Sequence, residues 1–226
     1  MQPEGGIMKK DILGKGAILQ RDRETYAIAP HIPGGIIDSA TLRKLCDVAD
    51  RYGLQLKLTS AQRIMMIGIR EEELDAVWKD LAQKPGAAIG LCVRSVKICP
   101  GTTYCKRGVQ DSISLGLKLD AMYHAMVLPN KMKMGVSGCM VSCAESALKD
   151  IGIVATAKGW RILVGGNAGA RPRIADVLVD LEADEERVLE VVDRIVSWYR
   201  NSGRELRIGR LVEEMGIDAF RQQILG

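Results

Sequence analysis

Two pairs of cysteines carry the clearest chemistry in this chain: Cys99 and Cys105 in KICPGTTYCKRG, and Cys139 and Cys143 in VSGCMVSCAES. Five residues separate the first pair, three the second, and 33 lie between the pairs. Gly101 and Gly138 free the backbone to bend around a ligand, and Pro100 is expected to keep the first loop from becoming helix. Four thiolates can close a tetrahedral zinc site or hold an iron-sulfur cube. Structural zinc sites use tighter spacings as a rule, so the five-residue gap favours the larger cluster. The plain alternative, four buried thiols that only pack, fits poorly with two glycine-flanked pairs. Cys143 opens AESALKD, which reads as a helix start, where free N–H groups and the positive dipole end would favour a thiolate. Cys46, on an apolar helical face, and Cys92, in an apolar run, are expected to be packing residues. His31 and His124 are the only histidines, so sites needing several His ligands are excluded within one chain.

The sequence KMK supplies a second constellation. If it is extended, Lys131 and Lys133 emerge on one face, because strand side chains alternate. Such a pair is either an anion clamp or a solvated strand edge. Net charge is only +4, so there is no global basic field and nucleic acid is not an expected partner. No apolar run approaches the roughly 20 residues that span a bilayer, and MQPEGGIMKKDILGKG lacks the apolar core of a signal peptide. A cytoplasmic protein with six reduced thiols is expected.

These residues need elements to place them. With 47% hydrophobic residues over 226 positions, the chain can build a packed core of one large or two small domains. Residues 1–25 read as an irregular arm. YAIAPHIPGG is a short extended run ended by Gly34 and Gly35. A helix capped by Asp38 or Ser39 follows, with Leu42, Leu45, Ala49 and Tyr52 on its apolar face, and Gly53 stops it. LQLKLTS and RIMMIGI read as strands, and 71–83 as an amphipathic helix ended by Pro85-Gly86. A soft boundary falls near residue 85. Beyond it, 108–119 can be helical, KMKMGVSG is a strand running into Cys139, and IGIVATAKGWRILVGG is a hairpin turning at Lys158-Gly159. Residues 184–200 form the clearest helix, with short helices around 209–216 and 218–224.

CPGTTYC followed by SGCMVSC resembles the iron-sulfur and siroheme signature of the sulfite and nitrite reductase family. HIPGG, LKLTSAQRIMMIGI, RSVKICPGTTYCKRGVQDS, KMKMGVSGCMVSCAES, KDIGIVAT and GWRILVGGNAGARPR stand in family order from about residue 26 to 180. The likeness is greatest to the compact siroheme region of assimilatory enzymes. It implies an α+β protein: a ferredoxin-like lobe over 26–85, then a siroheme-binding and 4Fe-4S-binding α/β lobe over 86–226.

The same resemblance implies that the four cysteines hold a 4Fe-4S cluster, with Cys143 bridging cluster iron to siroheme iron. It implies that Gln62, Arg63, Lys106, Arg107, Arg171 and Arg173 meet the carboxylates of siroheme, while Gly165, Gly166 and Asn167 let backbone approach the macrocycle. Arg94, Lys131 and Lys133 would face the substrate anion. His31 departs from the family, whose block begins with Arg; an imidazole is a weaker anion ligand but a possible proton donor.

The implied reaction is six-electron reduction of sulfite to sulfide. Ammonia-forming nitrite reduction is the near alternative, and a non-catalytic siroheme or iron-sulfur electron carrier or sensor the alternative from another class. Nothing in the chain resembles a flavin or nicotinamide site, so electrons should come from an external donor such as a ferredoxin or a reductase subunit. Full-size relatives hold two copies of this unit. A single copy suggests a homodimer whose sites pair cysteines of one subunit with Arg94, Lys131 and Lys133 of the other, with a self-sufficient monomer as the alternative.

Overall fold

The computed structural model describes residues 9–226; the first eight positions of the expected arm lie outside that range. The chain divides into two units, one running to Ile32 and resuming over Ile36–Gly90, the other made of Pro33–Gly35 and Leu91–Gly226.

In the first unit, four antiparallel strands lie in the order β1-β2-β4-β3: β1 Ile18–Leu19, β2 Thr25–Ile28, β3 Gln55–Leu58 and β4 Ile64–Arg70. The expected irregular arm is therefore partly sheet, since Ile18 pairs with Ala27 and Leu19 with Tyr26. A two-residue strand between turns carries no alternation long enough to read.

Helix α1 spans Ser39–Tyr52, and the Asp38 carboxylate caps it by accepting the Thr41 N–H at 2.8 Å. Gly53 closes it in the left-handed conformation. Its buried stripe is Leu45, Val48 and Ala49, packed with Met66, Ile69 and the Leu74, Val77, Trp78 and Leu81 face of α2, Leu74–Leu81. Cys46 is exposed, contrary to expectation. It sits one residue past Leu45, about 100° around the helix, and so turns off the buried stripe. Cys92 is buried as expected.

The second unit is a five-stranded sheet in sequential order, built from β5 Val93–Ile98, β6 Met132–Ser137, β7 Ile151–Thr156, β8 Gly159–Val164 and β9 Asp176–Glu182. The first three strands are parallel and the last three antiparallel. One face is apolar: Val96, Ile98, Met132, Met134, Val136, Ile151, Ile153, Trp160 and Ile162 pack against helices of this unit. These are α4 Ser112–Tyr123, α5 Glu185–Asn201, α6 Ile208–Met215 and α7 Ile217–Leu225, with a short α3 at Gly101–Tyr104.

Two expectations shift here. Helix α4 begins at Ser112 rather than 108, because Asp111 caps it through the Ile113 and Ser114 amides. The hairpin turns at Ala157-Lys158, with Gly159 already the first residue of β8. A Cβ on Gly159 would stand 2.2 Å from the Glu182 carbonyl carbon, so that glycine serves the approach of β9.

Candidate functional site

Cys99 directly follows β5, and Cys139 lies two residues beyond β6. The two strands are parallel neighbours with Ile98 opposite Val136. Both cysteine loops therefore leave the same C-terminal edge of the sheet, where open α/β sheets place their ligands.

The loops then touch. The Gly138 N–H donates to Cys99 Sγ at 3.0 Å, and the Val109 N–H to the Gly138 carbonyl at 2.8 Å. A Cβ on Gly138 would lie 2.6 Å from Gly101 Cα, so glycine is what lets the two loops meet. Ser112 Oγ donates to the Cys99 carbonyl at 2.9 Å. The four thiols grade outward: Cys99 is buried, Cys105 and Cys139 half-buried, Cys143 exposed. Among the described residues no three His, Cys, Asp or Glu side chains form a group that could hold a metal ion as they stand.

Two local expectations at these loops fail. Pro100 does not prevent helix; it precedes the single turn α3, and its fixed φ suits a helix start. Cys143 does not open a helix. Ser142 and Glu145 take left-handed backbone, leaving only a three-residue 3-10 turn at Ser146–Leu148. Side-chain bonds compete with helix here: Ser146 Oγ lies 3.1 Å from the Gly135 carbonyl oxygen and 3.0 Å from that of Ile153, and its N–H donates to Ser142 Oγ.

Cations gather on the same sheet. Lys133 projects from β6, exposed; desolvation and then the positive charges of Arg207, Lys149, Arg94 and Lys131 hold its ammonium below the usual lysine value. Arg94 lies on β5 and Lys131 directly precedes β6, so the three cations expected at the anion stand on or beside two neighbouring strands. Sequence reasoning missed Lys149 and Arg207. Lys149 stands in KDIGIVAT, a block that marks the family order without singling out its lysine; Arg207 lies 57 residues from its partner Asp150 and has no spacing signal. The segment from Cys143 to Asp150 links thiols to cations: Glu145 takes Lys149 at 3.0 Å and Lys97 at 3.1 Å. Those bonds hold its carboxyl below the ordinary range.

Asp150 is buried, and its carboxylate accepts the Lys133 N–H at 2.8 Å and both Nε and Nη2 of Arg207, at 3.1 and 2.5 Å. Arg207 Nη1 also donates to Asn167 Oδ1 at 2.8 Å. Asn167 exchanges backbone bonds with Arg173. Gly165 and Gly166 serve the chain's own packing, since a Cβ on Gly166 would lie 2.5 Å from the Ala147 carbonyl oxygen. Arg173 is engaged internally by the Gly165 carbonyl, Asp176 and Glu213. Arg171, Lys106 and Arg107 are exposed. A cavity of about 210 Å³ opens here, lined among others by Asp150, Asn167, Arg171, Arg173, Arg207 and Arg210. His31, Gln62 and Arg63 belong to the first unit, where Arg63 is buried and Gln62 takes a positive φ of 58° in the turn before β4.

The family description "Nitrite and sulphite reductase 4Fe-4S domain" matches residues 89–226, and "Nitrite/Sulfite reductase ferredoxin-like half domain" matches residues 18–84. The chain belongs to the nitrite and sulfite reductase family. An assimilatory-type sulfite reductase of Nitratidesulfovibrio vulgaris is 43% identical over 215 residues, 94% of this chain and 98% of that protein. An NAD(P)H nitrite reductase of Bacillus subtilis is 40% identical over 203 residues, 89% of this chain but 25% of that one. Among solved structures, the Mycobacterium tuberculosis NirA protein shares the fold with a TM-score of 0.78 at 20% identity, over 96% of this chain and 43% of that one. The chain thus spans nearly all of the first of these, a quarter of the second and under half of the third.

As a nitrite and sulfite reductase family member the chain is an oxidoreductase, and its cofactors are siroheme and a 4Fe-4S cluster. The residues present suit both groups. Cys99 sulfur already accepts a backbone amide, as a cluster thiolate would. The donor set is thiol-rich and ends on an exposed sulfur at Cys143, and cations on the same sheet suit a carboxylate-bearing macrocycle and an anionic substrate.

Proposed function

We propose that the chain reduces sulfite to sulfide. Cys99, Cys105, Cys139 and Cys143 would hold the cluster, and Cys143, the exposed thiol, would be the one open to siroheme. The observation that carries this reading is the departure of both cysteine loops from the same edge of two adjacent parallel strands.

When bound, siroheme and the cluster supply an iron for the anion and electrons one at a time. The chain's own residues supply charge and protons. Arg94, Lys131 and Lys133 attract the anion, and the crowded ammonium of Lys133 gives up a proton more readily than an isolated lysine. Arg107, Lys106 and Arg171, exposed in the second unit, serve siroheme carboxylates. Arg173 supports the Gly165–Asn167 turn from behind, because its fork is already taken. His31, where the family has an arginine, either donates a proton or marks the loss of one anion contact. Electrons arrive from an external carrier, a ferredoxin or a reductase subunit, and two copies of the chain form a homodimer with two equivalent sites, each pairing the cysteines of one subunit with Arg94, Lys131 and Lys133 of the other.

Nitrite is the second reading, favoured by the 40% identity to an NAD(P)H nitrite reductase. Steady-state turnover of the anaerobically prepared holoprotein with a reduced dye decides between them. The higher kcat/KM is expected for sulfite. A higher value for nitrite would reassign the substrate, and turnover of neither would leave a carrier or sensor.

A further inference from the structure

Asp150 lies at the entrance to the β6–β7 pairing, whose first register pair is Met134 with Ile151. One residue earlier, Asp150 holds Lys133 at two points: its backbone N–H donates to the Lys133 carbonyl at 3.0 Å, and its carboxylate accepts the Lys133 N–H at 2.8 Å. The same carboxylate takes the two-pronged fork of Arg207, whose third nitrogen reaches Asn167. One buried anion therefore ties the strand that bears Lys133, the segment before α6 and the Gly165–Asn167 turn.

A carboxylate with 1% side-chain exposure is costly to bury, and burial pushes its carboxyl up from the ordinary range while Arg207 pulls it back. The three groups bonded to it are all donors, which leaves no acceptor for a carboxyl proton and selects the ionised form. Its charge is felt nearby, since burial and then Asp150 push the Tyr199 hydroxyl up. Around Lys133 stand Arg207, Lys149, Arg94 and Lys131. Lys149 is matched by Glu145. Asp150 is the anion bonded directly to the Lys133 backbone.

We infer that Asp150 is a positioning residue for the anion site: it fixes Lys133 and Arg207 as one unit and keeps the Lys133 ammonium charged among four other cations. The inference rests on the reading of Lys133 as an anion-binding residue. Asp150→Asn keeps an oxygen for the Lys133 amide and removes the charge.

The test is the pH dependence of Lys133 acetylation, read by mass spectrometry on the full chain, beside the pH profile of kcat/KM for sulfite. In Asp150→Asn the Lys133 midpoint is expected to fall by about one unit, the basic limb of the rate profile to move with it, and iron and siroheme content to hold. An unchanged Lys133 midpoint in folded Asp150→Asn overturns the inference. Should that variant not accumulate as folded protein, Asp150→Glu moves the charge outward by one methylene. A smaller fall in the midpoint with a raised KM then supports the inference, and wild-type values for both overturn it. Acetylation reads Lys133 whether or not sulfite is the substrate, so failure of the proposed reaction and failure of this role are seen separately.

Discussion

At the scale of single residues, glycines decide whether the cysteine loops meet. Gly138 faces the Gly101 backbone with a Cβ contact of 2.6 Å, whereas Gly116 of α4 faces the Ile98 side chain, with Cδ1 at 2.5 Å and Cγ1 at 2.6 Å. Backbone yields less than a side chain. Gly138→Ala is expected to destabilise the protein by about 1–3 kcal/mol and to lower cluster iron, with Gly116→Ala costing less; thermal melts and iron analysis of the two variants check the order. The cysteines themselves were legible because thiol pairs flanked by glycine have few uses. Arg207 and Lys149 were not, since their meaning comes from the sheet that brings Asp150 and Lys133 together. Cys46 was misread for a related reason: helical spacing identified a face, but the neighbouring sheet set where that face ends.

At the scale of elements, local signals that satisfy their own backbone were readable, and those set by distant packing were not. Asp38 and Gly53 bound α1 as expected, and KMKMGVSG became β6. The strands β5 and β9 were passed over, one hidden among glycine and cysteine punctuation and the other mixed with acidic residues. The helix expected at Cys143 was displaced by the Ser146 side chain bonding to β6 and β7.

The caps and strand pairs also fix an acid dependence. Thr41 holds the Asp38 carboxyl below its usual value, and Arg161 does the same for Asp180. Groups depressed by folding contribute stability above their unfolded pKa, and that contribution is lost as pH falls through the folded value. The melting temperature is therefore expected to drop below about pH 4, and Asp38→Asn with Asp180→Asn to flatten that drop. An acid limb unchanged in the double variant would contradict it.

At the scale of the whole molecule, two units match the two family descriptions in order, and no helix among the described residues is long and apolar enough to cross a membrane. The resemblance reached this far because six ordered blocks constrain more than any one motif. It could not set the preferred anion, since sulfite and nitrite reductases stand at 43% and 40% identity. The proposed homodimer is checked by sedimentation of the holoprotein at micromolar concentration, where a species of one chain's mass would refute it. The proposed sharing of Cys143 between the two iron centres is tested most directly by Mössbauer spectroscopy of anaerobically prepared, iron-57-enriched full chain beside Cys143→Ser. The expected result is magnetic coupling between cluster and siroheme iron in the wild type and its loss in the variant. Zinc in place of cluster iron, or two uncoupled centres in the wild type, would contradict it.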